Sequence, residues 1–359
     1  MHFTLAGKPY YVGGVNNHYL TFGLKSEVTD VLDDAVAMNA NVLRTFLQPV
    51  IGSLDGTTVP TIWDRLSREE SSNLGVNGVY MLYWDTTNKR PAFNDGPNGL
   101  QRLDFLVAEA AKRNLKLIIA FLDFWAYTGG AQQMRAWYGS DDKSTFFFRD
   151  PRTKQDYRDW VSHVLNRVNP LTGRAYKDEP AIFAWELMNE PNIEPEELYI
   201  EWVSEMSAYV KSIDRNHIVS SGHANFLNRI SDLPIATIDF GTWHGYPKYE
   251  DLAPETYDTT IRDFCRIGRD NNKPVLLEEF GHPRFKGDQA EIYKKWLDAI
   301  EADPDCAGWL VWRLVSRQKS GRYPADTYDG FDITKDSGAS WDVLRKAAQA
   351  IQSKSPAAP

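Results

Sequence analysis

Eight short apolar runs punctuate the chain, and longer amphipathic runs separate most of them. The strand-like runs are Tyr11–Val15, Asn41–Thr45, Lys116–Phe121, Ile182–Leu187, His217–Ser220, Ile235–Thr242, Pro274–Glu279 and Ala307–Trp312. Helical patterns lie at Leu100–Arg113, Gln155–Val168, Pro195–Ile213, Glu255–Arg269 and Gln289–Ile300, and a final one at Trp341–Ile351 follows the eighth strand. Alternation of this kind predicts βα units and a parallel sheet. Eight strands, each followed by a crossover, is the count of a (β/α)8 TIM barrel of the α/β class. The 359 residues show no Pro/Gly/Ser-rich linker, composition break or repeat, so one domain spanning 1–359 is expected.

In such a barrel the active site sits at the C-terminal ends of the strands. The residues expected there are not those of a packed core. The first strand runs into Asn16, Asn17 and His18, and the second carries Arg44. The third leads to Asp123 and Trp125, and the fourth to Asn189 and Glu190. The sixth supplies His244 and Tyr246, the seventh Glu279, and the eighth Trp312. Two long connections also belong to this face. One, between Gln48 and Gly99, holds Trp63 and Trp84; the other, Arg313–Ala339, holds Tyr323, Asp326, Tyr328 and Asp329. Loops this long in a compact domain are usually functional, and the 48–99 excursion is expected to wall one side of a cleft.

Charge and composition exclude several functions. The net charge is −9 with no block of Lys or Arg, which argues against nucleic acid or an anionic membrane as partner. No apolar run approaches the roughly 18–20 residues of a membrane span. The opening "MHFTLAGKPYYVGG" shows no charged region followed by an apolar one. A cytoplasmic location is therefore expected unless a leader was trimmed. Cys265 and Cys306 are the two cysteines, read as free thiols with a single disulfide as the alternative. The expected assembly is a monomer. The 12 tryptophans and 17 tyrosines supply core, and some are expected to line a groove for a ligand with flat apolar faces.

Glu190 and Glu279, at the ends of nearly opposite strands, suit glycoside hydrolysis: one carboxyl protonates the leaving oxygen while the other, ionised, attacks the anomeric carbon. Arg44 is the candidate for keeping Glu279 ionised, with Tyr246 as a hydrogen-bond donor to it. Glu190 has no evident cationic partner, as suits a proton donor. Side chains alternate along a strand, so only one of Glu278 and Glu279 is expected to face the mouth. The same alternation puts Glu186, Met188 and Glu190 on one side, with an inward structural hydrogen bond expected for Glu186. The bland alternative is that the glutamates are surface ion-pair members, which is credible for one but not for the constellation. The seven histidines form neither H-x-H nor H-E-x-x-H, so no metal is expected. No G-x-S-x-G or nucleotide-binding glycine loop occurs, and no cofactor is expected.

These residues carry a resemblance. "NVLRTF" (41–46), "FNDGPNGLQRLD" (93–104), "YKDEPAIFAWELMNEP" (176–191), "HGYP" (244–247), "KPVLLEEFG" (273–281) and "GWLVW" (308–312) resemble glycoside hydrolase family 5 over nearly the whole chain, and within it the β-mannanase and β-mannosidase group. The resemblance implies a retaining hydrolase of β-1,4-mannosidic bonds in mannan or manno-oligosaccharides, endo or exo. It implies Glu190 as acid/base and Glu279, directly before Phe-Gly, as nucleophile. Arg44, His244 and Tyr246 match the residues that position the nucleophile. Asn189 matches the partner of the sugar 2-hydroxyl, and Trp312 the platform beneath the sugar. The sequence departs from the pattern at Leu122-Asp123-Phe124-Trp125, where the group has Asn-Asn-Trp or Asn-Trp, and in a shorter 222–235 segment. Trp125 is still expected in the cleft. The alternatives are a β-glucan- or cellulose-active relative and a non-catalytic carbohydrate-binding barrel.

Overall fold

A computed structural model describes residues 1–62, 71, 72, 74–226, 229–324 and 329–354. Trp63, Asp326 and Tyr328 lie outside the described residues. Eight parallel strands form a nearly closed barrel, as expected. They are β1 (Val12–Asn16), β2 (Val42–Phe46), β3 (Lys116–Ala120) and β4 (Ile182–Glu186). The circuit continues with β5 (Ile218–Ser220), β6 (Gly241–Gly245), β7 (Val275–Phe280) and β8 (Gly308–Val311). Among the described residues, seven long helices wrap it: α1 (Lys25–Ala37), α2 (Leu100–Lys112), α3 (Pro151–Asn166), α4 (Glu196–Ile213), α5 (Tyr257–Asn271), α6 (Gln289–Ala302) and α7 (Ala339–Gln352).

Local chemistry sets these boundaries. Asp150 caps α3 by accepting the Arg152 N–H at 2.9 Å, and Pro151 opens the helix where its missing N–H costs nothing. α5 turns Tyr257, Ile261, Phe264, Cys265 and Gly268 inward at helical spacing and stops at Asn272, whose φ of 53° is left-handed. Most apolar side chains pack between strands and helices. A second cluster, including Val12, Val42, Ile118, Ala184, Leu276 and Leu310, fills the lower barrel, with Phe3 among its members. Gly14 belongs to this layer because a Cβ there would lie 2.2 Å from the Val42 carbonyl oxygen and 2.4 Å from Leu310. An apolar plug below thus leaves the upper interior for polar groups.

Three expectations need correction. The sixth strand is Gly241–Gly245, not Ile235–Thr242. The apolar Ile235 and Ile238 donate turn bonds to Asp232 and Ile235, so a partly buried loop imitates a strand in composition. β5 and β6 lie at opposite ends of the strand order; the Asp239 N–H donates to the Val219 carbonyl at 2.8 Å across that seam. The 48–99 excursion is not bare loop. Val50–Ser53, Leu82–Asp85 and Arg90–Phe93 form a three-stranded sheet, with Trp84 packed on Trp137 and Tyr138. Finally, Cys265 and Cys306 are not free: they form a disulfide joining α5 to the chain just before β8. Forty-one residues of separation hid a contact that neighbouring βα units create.

Candidate active site

Arg44 organises the barrel mouth. Its side chain is fully buried, which a guanidinium tolerates only with its donors engaged. Nε donates to both carboxylate oxygens of Glu186, at 2.9 and 3.0 Å. Nη1 donates to Asn16 Oδ1 at 3.1 Å and to Glu279 Oε1 at 2.6 Å. Nη2 donates to Asn189 Oδ1 at 2.9 Å and lies 3.5 Å from Glu278 Oε2. Glu186 therefore has the inward hydrogen-bonding position expected of it.

Glu279 is the most enclosed of the reacting candidates. Besides Arg44, the Tyr246 hydroxyl donates to its Oε2 at 2.7 Å. The Tyr246 ring stacks on Phe331 with centroids 5.2 Å apart, and Phe331 closes over Gly281, where a Cβ would lie 2.6 Å from the ring. Burial pushes the Glu279 carboxyl above its ordinary range, against the pull of the His244 and Arg44 charges and the Tyr246 hydroxyl.

Glu190 is placed differently from expectation. It is 23% exposed, so it opens toward the cleft, and its φ of 48° is left-handed, a conformation costing about 1–2 kcal/mol for a side chain of this kind. Far from lacking a cation, it meets His244 Nδ1 at 2.6 Å, while the Trp125 indole N–H donates to its other oxygen at 2.7 Å. Burial pushes Glu190 up, but His244, Trp125 and Arg44 together hold it below the usual range. His244 itself is raised to about 10: burial opposes its charge, yet Glu279, Glu190 and Glu278 surround it. The proton that the sequence places on an isolated Glu190 is therefore held by a His244–Glu190 pair.

The other residues converge as a frame. The Asn189 amide donates to Asp123 Oδ1 at 2.9 Å, and Asp123 also accepts the Trp125 backbone N–H at 3.2 Å. Burial raises Asp123 to about 7 against those two donors. Trp312 stacks near Phe46 at 6.1 Å and an interplanar angle of 17°, half-buried at the end of β8. Arg313, after it, is bonded to Asp332 at 2.8 Å and to His18 at 2.6 Å.

Glu278 is the residue sequence reasoning missed. Alternation allows only one of Glu278 and Glu279 inside, yet both reach Arg44. The register explains it: Trp243 pairs with Leu277 and His244 with Glu279, so Glu278 is an extra residue in β7. Its Oε2 lies 3.3 Å from His244 Nε2. A doubled glutamate at the end of a buried strand was the available signal.

Oxygens of Glu190 and Glu279 and a ring nitrogen of His244 all lie within 4.8 Å of one another. Two carboxyls so placed at the mouth of a (β/α)8 barrel, one enclosed and one open to the cleft, are an arrangement suited to glycoside hydrolysis. Residues 1–295 match the family described as GH family 5 beta-mannosidase-like, and the chain belongs to that family. Mannan endo-1,4-beta-mannosidase 4 of Solanum lycopersicum is 30% identical, covering 89% of this chain and 83% of its own. Mannan endo-1,4-beta-mannosidase A of Podospora anserina is 27% identical over 97% of this chain and 89% of its own. The crystal structure of the endo-1,4-beta-mannanase from Rhizomucor miehei superposes with a TM-score of 0.81 at 28% identity, covering 98% of this chain and 97% of that one.

Proposed function

We propose that this enzyme cleaves internal β-1,4-mannosidic bonds of mannan and manno-oligosaccharides with retention of configuration. The observation that carries the reading is the pairing of Glu190 and Glu279 at the barrel mouth, with an oxygen of each within 4.8 Å of the other, a proximity that favours retention. Retaining enzymes hold their carboxyls about 5–5.5 Å apart, whereas inversion needs about 6.5–9.5 Å to admit a water. The mannan assignment and internal cleavage are supported by the relatives' names.

In this reading Glu279 attacks the anomeric carbon while Glu190 delivers a proton to the leaving oxygen. His244 Nδ1, 2.6 Å behind Glu190, replenishes it. The Glu279 charge, 3.5 Å from His244 Nδ1, helps to hold the proton on His244. Forming the glycosyl ester removes that charge, so the His244–Glu190 pair releases its proton as the bond to Glu279 forms. Glu190 then accepts a proton from the incoming water. Asn189 is positioned by Arg44 and Asp123 to meet the sugar 2-hydroxyl, and Trp312 and Trp125 border the sugar.

Glu279→Gln is expected to abolish turnover of both mannohexaose and activated aryl mannosides. Glu190→Gln is expected to lose mannohexaose cleavage but retain more activity on aryl mannosides, whose leaving groups need less protonation. Full activity of either variant on mannohexaose refutes the assignment, and an inverted first product seen by NMR refutes retention. Mannose as the sole early product from mannohexaose would make the enzyme exo-acting.

A further inference from the structure

The rim of the barrel mouth carries rings that the reaction at Glu190 and Glu279 does not use. Phe285, in the turn Arg284–Lys286 after β7, is 65% exposed, the most exposed large apolar side chain among the described residues. Tyr249, in the single helical turn Pro247–Glu250 after β6, is 51% exposed. An isolated apolar group on a surface needs no explanation, but these two are joined. The Lys248 ammonium lies 5.2 Å from the centre of the Tyr249 ring, 6.0 Å from that of Phe285 and 5.7 Å from that of Phe331. Phe331 is the buried ring that stacks on Tyr246, and Tyr249 meets Phe331 and Tyr246 edge-on at 6.2 and 6.1 Å. The exposed rings thus continue outward from the stack that backs the Glu279 carboxyl.

Both rings are held in place by the fold itself. Pro247 opens the Tyr249 turn, and Glu250 closes it by accepting the Tyr246 N–H at 2.7 Å and the Tyr257 hydroxyl at 3.0 Å. The Arg284 N–H donates to the Gly330 carbonyl at 3.0 Å, which ties the Phe285 turn to the chain leading into Phe331. Phe285 seats directly on Gly330, where a Cβ would lie 2.8 Å from the ring. Rings left this exposed contribute little burial to folding, so their apolar faces remain to be covered.

We propose that Phe285, Tyr249 and Lys248 form a platform for a mannosyl unit of the substrate chain outside the one that reacts. A pyranose offers a flat C–H face to an aromatic ring and a rim of hydroxyls to a donor. The patch supplies both, since Lys248 carries N–H donors among the rings. Its size also selects this occupant. Two exposed rings and a lysine fall far short of the roughly 800 Å² per partner of a stable protein interface, whereas they match one sugar. Resting on the mannan reading of the site, the platform makes long substrates bind better than short ones.

Phe285→Ser removes an exposed ring and leaves every hydrogen bond around Glu190 and Glu279 in place. Its KM for mannohexaose should rise about three- to tenfold with kcat within about twofold of the wild type. Phe285→Trp, which restores a flat face, should return that KM to within about twofold of the wild type. The loss should be confined to the long substrate, because an aryl mannoside fills only the cleavage point. Equal losses on both substrates would mean that the ring supports Tyr246 rather than a sugar, and an unchanged KM for mannohexaose would mean that no sugar lies there; either overturns the proposal. Binding separates these outcomes from the fate of the catalytic reading. If the wild type does not cleave mannohexaose, calorimetric titration of wild type and Phe285→Ser with that sugar decides, and an equal Kd, or no binding to either protein, overturns the platform. A dimer in sedimentation that Phe285→Ser dissociates would mean that a second copy covers the rings, and the proposal fails.

Discussion

The hydrogen bond from Tyr246 to Glu279 can be removed almost alone. Tyr246→Phe deletes one oxygen, 2.7 Å from Glu279 Oε2, and leaves the ring on its Phe331 stack. Both partners are buried. A hydrogen bond to an ionised group contributes about 1.5–3 kcal/mol, and one pKa unit corresponds to about 1.36 kcal/mol. The donor favours the carboxylate, so its loss raises a Glu279 pKa that burial already holds high, by roughly 1–2 further units. The acid limb of kcat/KM, which reports the free enzyme's essential base, should rise by the same amount. Stability gives an independent sign. A carboxyl whose folded pKa is raised contributes stability that is full below its unfolded pKa and is lost as pH rises through the folded value. Tyr246→Phe should therefore be about 1.5–3 kcal/mol less stable than the wild type near pH 8, and the gap should close in acid, where Glu279 is protonated in both. The assays are a pH series of kcat/KM on mannohexaose and urea denaturation at acid and alkaline pH. An unmoved acid limb, with activity lowered equally at every pH, would show that Tyr246 does not govern the ionisation of Glu279.

Two further changes probe the frame around the site. Cys265→Ser opens a loop with 41 residues of separation, which in the chain-entropy account lowers stability by about 4 kcal/mol, read from urea midpoints with and without reductant; a wild type with two titratable thiols after unfolding would refute the bridge. Gly281→Ala places a Cβ 2.6 Å from the Phe331 ring, so the ring and the Tyr246 stacked on it must shift. The expected outcome is a loss of about 1–3 kcal/mol in stability and a kcat reduced at least about tenfold, and an unchanged kcat would show that Phe331 does not position Tyr246.

Periodicity made most of the barrel legible. The pattern predicts a helix over Pro195–Ile213 and Glu196–Ile213 forms one; it predicts a strand over Lys116–Phe121 and Lys116–Ala120 forms one. Arg44, Glu190 and Glu279 were legible for a related reason, since a charge at the end of an apolar strand conflicts with its surroundings unless another strand answers it. What pattern cannot convey is which strand answers. Glu190 and His244 lie 54 residues apart, and only closure of the barrel brings them to 2.6 Å. Ile235 and Ile238 misled because burial, not strand pairing, selected their apolarity. Glu278 was invisible because period-two alternation assumes a regular ladder, and the register shift beside His244 breaks it. With strict alternation, one of the two glutamates would face the helices, and Arg44 would meet one fewer carboxyl. The irregularity in β7 thus brings a further glutamate to the site, and its carboxyl meets His244 from the side opposite Glu190.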